Sequence, residues 1–458
     1  MNTAGPTDGS STILDDAYQQ LAKHGPVADG RSVSLAAVSK ALGMSRNQLY
    51  RRWSTSADMA LDIASFRSTP ANGWHAEVCT DDGGPLADAV RRSLASPRSG
   101  DGVLTRASVA TWSGSSAHRN LASWERAHLA NLASRLRREW GAEVDGAWTD
   151  IAIALTALLD GMHLMCAQFA REPGEQIEPA LADEITQLAV LIVEFLLHEA
   201  EGVDSPIGSP DDELDPPAAV APLPQRIADA LDDGTLHIAS DGSRRVIDMG
   251  VLARSRGVSE RSLYTRWPAP ADLNAELFLE SVDRTRSAFA RTIFDVFQSS
   301  LSGSFNHPMP LIARMNAWFM DPERFPEARV HLGITAVLSD PAVLDRIRAG
   351  VEAGLEVADM QTAAILQATG FRLRSEFRRR TYTMFIVGMG MGSHRTSATH
   401  PQILRRRLRY LGEEYLAAGV GHTAMTRSCC ELINAPMDED IQSVPPIPPA
   451  LQPIPDSE

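Results

Sequence analysis

Apolar residues recur along much of the chain at steps of three and four. Leu181, Ile185, Leu188, Ile192, Val193 and Leu196 share one helical face, and Ile13, Ala17, Tyr18 and Leu21 do the same near the start. From Trp148 to Ala170 the chain is apolar almost throughout, interrupted by Asp150 and Asp160. A charge at mid-bilayer depth costs about 2.5–3.5 kcal/mol, so this stretch reads as a buried helix and not a membrane span. Strand alternation is nowhere sustained. The pattern predicts an all-α fold.

The chain repeats itself. Residues 33–66 and 247–280 align without gaps at an offset of 214, with ALGMSRNQLYRRW (Ala41–Trp53) over SRGVSERSLYTRW (Ser255–Trp267). Gly43/Gly257, Ser45/Ser259, Leu49/Leu263, Tyr50/Tyr264, Arg52/Arg266 and Trp53/Trp267 coincide, and Ala57-Asp58 repeats as Ala271-Asp272. Two tandem units follow. Between them the acidic, Pro-rich stretch Glu201–Pro224 reads as an extended linker. The predicted organisation is a first head at 12–66, a helical core at 67–200, a linker at 201–222, a second head at 223–280, a second core at 281–433 and a disordered Pro-rich tail at 434–458.

Within each repeat the residue types spell out local geometry. Ser34 is a candidate helix N-cap, and Leu35, Val38, Ser39 and Leu42 form a stripe on a short helix. Gly43 suits the left-handed stop, and Ser45 caps a second helix whose Leu49 packs inward. Helix, glycine turn and capped helix at this spacing make a helix-turn-helix, whose second helix enters the major groove. Its outward positions are Arg46, Asn47, Gln48 and Arg51, with Tyr50 beside them. Arg pairs bidentately with guanine, and Asn or Gln with adenine.

Charge sharpens this reading. The 458 residues hold 43 Lys+Arg against 58 Asp+Glu, a net charge of −15 that would repel nucleic acid if spread evenly. Residues 31–53, however, carry Arg31, Lys40, Arg46, Arg51 and Arg52 and no acid, and 244–267 carry six Arg against Asp248 and Glu260. A basic island in an acidic chain is the electrostatic footprint of phosphate contact.

These segments resemble the N-terminal domain of the tetracycline-repressor (TetR) family of bacterial transcriptional regulators. Ile13–Gly25 stands in the first-helix position, LYRRW (Leu49–Trp53) closes the recognition helix, and Ser56–Phe66 follows. In the second unit the counterparts are Gln225–Gly234, LYTRW (Leu263–Trp267) and Pro270–Glu280. The resemblance implies DNA contacts from Ser34, Lys40, Ser45, Arg46, Asn47, Gln48, Tyr50, Arg51, Arg52 and Trp53. In the second head it implies them from Arg254, Ser259, Glu260, Arg261, Ser262, Tyr264, Thr265, Arg266 and Trp267. The chain departs from the family at Ser56 and Pro270, where a phosphate-binding Lys is usual, and Glu260 adds a charge that repels phosphate.

The resemblance further implies helical cores that bind a small-molecule effector and dimerise through paired helices. Trp148–Ala170 with Leu181–Leu197, and Thr381–Arg395 with Ile403–Ala418, occupy those positions. One chain then supplies both halves of an intrachain pseudo-dimer, with a homodimer of chains as the alternative. Trp112, Met162 and His163 are assigned to the effector pocket, and a hydrogen-bonded core histidine is the competing reading of His163. The expected function is a ligand-responsive repressor binding double-stranded operator DNA. The alternative is a helical interaction protein whose heads no longer read sequence.

Other signals change little. GMGMG (Gly388–Gly392) lacks the strand–turn–helix context of a dinucleotide loop and reads as close helix packing. The Arg run at Phe371–Arg380 reads as a solvated or salt-bridged face. Cys79, Cys166, Cys429 and Cys430 form no CxxC pair, which fits a reducing cytoplasm. MNTAGPTDGSST has neither a basic nor an apolar leader region, so no signal peptide is expected. No phosphate loop, zinc pair or nucleophile elbow is present, so neither an enzyme nor a cofactor is expected.

Overall fold

A computed structural model of the chain describes residues 38–40, 43–55, 84–95, 99–111, 116–141, 147–172, 175–200, 249–300, 326–369, 372–373, 378–399, 406–410, 413–417 and 433–434, together with Ala17, Met59, Val78 and Ile247. The linker and the tail beyond Asn434 lie outside the described residues, as do the first-helix segments apart from Ala17. The architecture is all-α apart from two short two-stranded ladders.

Helix α1 (Arg46–Arg52) lies in the first sequence repeat. It is followed by α2 (Leu86–Ala95), α3 (Ser99–Ala110), α4 (Ser116–Trp140), α5 (Ala147–Phe169) and α6 (Pro179–Ala200). The second part of the chain forms α7 (Met249–Arg256), α8 (Glu260–Arg266), α9 (Pro270–Ser300), α10 (Pro326–Ile334), a 3-10 turn (Thr335–Ser339), α11 (Pro341–Thr369) and α12 (Arg379–Thr399).

Helix α5 is central because its sequence leaves it no polar face. Ile151, Leu155, Leu158, Leu159, Met162 and Leu164 are all buried, on every side of the helix. It packs on α3, α4, α6 and α12. Among the described residues only Ile151–Phe169 is long and apolar enough to cross a membrane, and 89% of that window is buried inside the protein. Helix α6 starts on Pro179, where a missing N–H costs nothing, and lays Ile185, Leu188, Ile192 and Val193 into the core.

The most extensive helix contact joins the two parts of the chain, where α12 crosses α5. Gly161, Gly388 and Gly392 permit it. A Cβ at Gly161 would overlap the carbonyl oxygen of Gly388, and one at Gly392 would overlap that of Ala157. The GMGMG run is thus a close-packing device. Gly390, on the same helix, would meet nothing within 4 Å. Gly392→Val should therefore cost about 3 kcal/mol, because backbone rather than flexible side chain blocks the new atoms. Gly390→Ala should be neutral or gain up to ~1 kcal/mol from helix propensity. Denaturant midpoints check both, and equal losses in the two variants would refute the crossing.

Further ties run between the parts. Ser108 Oγ on α3 donates to the Gly333 carbonyl at 2.9 Å. Arg378, at the foot of α12, pairs with Glu184 of α6, while Arg379 pairs with Asp359 and Arg380 with Glu352, both at 2.7 Å. The end of the Arg run is therefore a salt-bridged face.

The segment Ile403–Ala418, expected to be a helix, is not one where it is described. Strands β2 (Arg406–Tyr410) and β3 (Glu413–Ala417) pair antiparallel, setting Arg409 opposite Glu414 and Leu408 opposite Tyr415. β1 (Arg372–Leu373) pairs antiparallel with β4 (Ile433–Asn434).

Candidate nucleic-acid interface

The two sequence repeats share one local geometry. Gly43 and Gly257 have φ of +60° and +64°, the left-handed conformation that residues with a Cβ avoid. In the second head this ends α7, where the Val258 N–H donates to the Ala253 carbonyl at 3.1 Å. Ser45 and Ser259 then cap α1 and α8, accepting from the Gln48 N–H at 3.3 Å and the Ser262 N–H at 3.1 Å. Leu49 and Leu263 point inward, buried together with Trp53 and Trp267 one turn later.

That inward anchoring turns the other face to solvent. Arg46, Asn47, Tyr50 and Arg51 are exposed on α1, and Glu260, Arg261, Ser262 and Tyr264 on α8. Tyr50 and Tyr264 are 54% and 42% exposed, among the few large apolar side chains so placed in the described residues. Lys40 and Arg254 are exposed on the preceding helices. Each short helix thus turns an exposed face to solvent, with a guanidinium near its start.

Several expected contact residues take other roles. Gln48 does not project freely: its Oε1 accepts from the Ser45 N–H at 3.0 Å and the Ser45 hydroxyl at 3.1 Å, completing a capping box. Trp53 and Trp267 are core residues, not surface contacts, and Arg52 and Arg266 lie over their rings at 5.2 and 4.6 Å. Arg266 also pairs with Glu276 of α9 at 3.1 Å, and the Thr265 hydroxyl turns back to the Arg261 carbonyl at 2.9 Å. Ser34 and Trp112 lie outside the described residues.

In the helical core, Met162 packs at the α5–α12 crossing beside Gly388. His163 Nδ1 lies 2.7 Å from the Leu159 carbonyl, and burial lowers its pKa to about 4. His163 is a hydrogen-bonded core histidine. A cavity of about 120 Å³ opens elsewhere, between the C-terminal end of α5 and helices α9–α12. Phe169, Leu355, Ile386 and Met391 form apolar walls, and Gln168, His331 and Gln361 contribute polar atoms; Met162 and His163 do not line it.

No protein-family model matches the chain, and no curated protein is similar to it.

Proposed function

We propose that the protein is a sequence-specific DNA-binding transcriptional regulator, a repressor of TetR-like organisation with two helix-turn-helix heads on one chain. The observation that carries this reading is the recurrence, in both heads, of one glycine stop, one serine cap, one buried Leu–Trp pair and one exposed Tyr. A structural helix needs the buried pair alone. The exposed face, placed on a basic island in a chain of net charge −15, suits phosphate and base contact. Packing of α5 against α12 supports an intrachain pseudo-dimer, in which one chain presents two unlike heads to operator DNA. The apolar core serves a small-molecule effector. The Arg266–Glu276 pair and exposed Glu260 favour a second reading for the second head alone, in which it contributes affinity but little base selection.

Selection of bound sites from a random double-stranded pool by the full-length chain tests the proposal. Two unlike half-sites at fixed spacing are expected, preferred over random DNA by roughly 10³ or more. Arg46→Ala should relax selection at one position, worth about 1–3 kcal/mol, while Gln48→Ala should weaken all sites alike through the lost cap. A pool left unenriched at every salt concentration would overturn the regulator and leave the interaction protein. An Arg46→Ala variant with unchanged preference would overturn the assignment of the first head.

A further inference from the structure

Of the unsatisfied polar groups that line the cavity between α5 and α9–α12, the most buried belongs to Gln361. Gln361, on α11, is 5% exposed and lines the cavity, and its side-chain carbonyl oxygen has no hydrogen-bond partner among the described residues. A buried acceptor left bare is costly unless something meets it. Its neighbour His331 makes no such demand. The Ser281 hydroxyl donates to the Phe278 carbonyl at 2.6 Å, so His331 Nδ1 donates to Ser281 Oγ at 2.9 Å. Nε2 then accepts from the Gln168 amide at 3.3 Å.

Space and charge limit what can answer Gln361. A dry cavity of roughly 150 Å³ holds a benzene ring, so about 120 Å³ suits one ring with little besides. Gly390 lines this space, and the absence of atoms within 4 Å of its missing Cβ shows where the room comes from. Arg286 at the margin is already paired with Asp283 at 2.9 Å, so its charge is met without an anion. Thr285 Oγ1 and Arg286 Nε, also without partners, suit a group that accepts as well as donates.

The opposite side of the crossing is built differently. Gln168 of α5 and Arg395 of α12 stand at equal sequence distance from Gly161 and Gly388, and each reaches across to the other part of the chain. Arg395 is locked there by Glu125 and Asp160, whereas Gln168 is short and uncharged and leaves space beside it.

We propose that this cavity is a binding site for a compact, uncharged, ring-sized molecule with an apolar body and one hydroxyl, the hydroxyl donating to Gln361 Oε1. It names the effector class of the regulator proposed above and rests on that reading only for its consequence. The test measures binding without DNA, so the two fail separately.

Phenol, toluene and benzoate are the probes, titrated calorimetrically into the full-length chain. Phenol should saturate one site with a Kd of roughly 0.1–1 mM, ordinary for a ligand of its size. Toluene and benzoate should bind about tenfold more weakly, for want of the donor and for want of a counter-charge respectively. Gln361→Leu should weaken phenol about tenfold and leave toluene unchanged or tighter. Gly390→Leu should abolish phenol binding while the melting temperature holds or rises, since the leucine occupies the space. Saturation by none of the three probes overturns the proposal. So does a preference for benzoate, or phenol binding that survives both substitutions. If Gly390→Leu fails to fold, the phenol-to-toluene ratio in Gln361→Leu decides.

Discussion

Replacing Asp160 with alanine is expected to cost about 3–5 kcal/mol of stability, the penalty for leaving a buried guanidinium uncompensated. Asp160 sits midway along α5 with no exposed side-chain surface, between Arg106 of α3 and Arg395 of α12, both equally buried. Arg106 Nη2 stands 3.5 Å from Asp160 Oδ1, and Arg395 forms ion pairs with both Asp160 and Glu125. Two guanidiniums and two carboxylates balance formally. Burial lowers the pKa of both arginines, and for Arg106 the attraction of Asp160 opposes that shift. Removing Asp160 leaves two cations and one anion in a medium that cannot hydrate them. Because Arg395 belongs to α12, the loss also weakens the joint between the two parts of the chain. Asp160→Leu combined with Arg106→Met should recover most of the stability, since a packed apolar pair replaces the charges. Urea denaturation of the three proteins measures this, and an Asp160→Ala loss below 1 kcal/mol would show that the network is not closed as described.

Asp160 illustrates what the sequence conveys and what it does not. As a charge inside an apolar run it argued correctly for a protein-buried helix, but its partners lie 54 and 235 positions away, and periodicity says nothing about such distances. The turn and cap of each repeat were legible because every determinant is local: a glycine at positive φ, a serine cap and a leucine four residues on. Trp53 and Trp267 follow Leu49 and Leu263 by four, so helical spacing itself placed them inside; family likeness placed them on DNA. The same holds for Gln48, whose Ser-x-x-Gln spacing is a capping box before it is a base contact. Gly388–Gly392 read correctly as close packing because no strand preceded it. The ladder between Arg406–Tyr410 and Glu413–Ala417 was missed because Arg, Leu, Glu and Ala favour helices, while strand pairing appears only in the register. Gln168, His331 and Gln361 gave no signal, since a cavity polar group looks like any helical glutamine or histidine until distant helices surround it.

The stability of the protein should fall as pH drops below about 6.5, through three histidines buried in the neutral form. Burial lowers the pKa of His128 to about 3, and those of His163 and His331 to about 4. Arg106 adds to the effect at His128 and His163, repelling a second positive charge. His128 also stacks on Trp124 at 5.4 Å, and His331 lies against Phe278 at 5.0 Å, neither offering a carboxylate. In the unfolded chain each imidazole takes up a proton near pH 6.5, whereas in the folded chain it does not. Since the unfolded state binds more protons below that pH, acid favours unfolding. The contribution of these groups is complete above about pH 6.5. It is lost progressively down to about 4 for His163 and His331, and to about 3 for His128. All three sites act in the same direction inside their windows, so their effects on stability add. Urea midpoints should fall steeply from pH 7 to pH 5. His331→Gln retains a side chain able to bond Ser281 or Gln168 but cannot titrate, so it should remove about a third of the slope between pH 6 and 4.5. A midpoint that stays level from pH 7 to pH 5 would mean that these imidazoles are open to water in the folded protein, and the core packing around Arg106 and His331 would have to be redrawn.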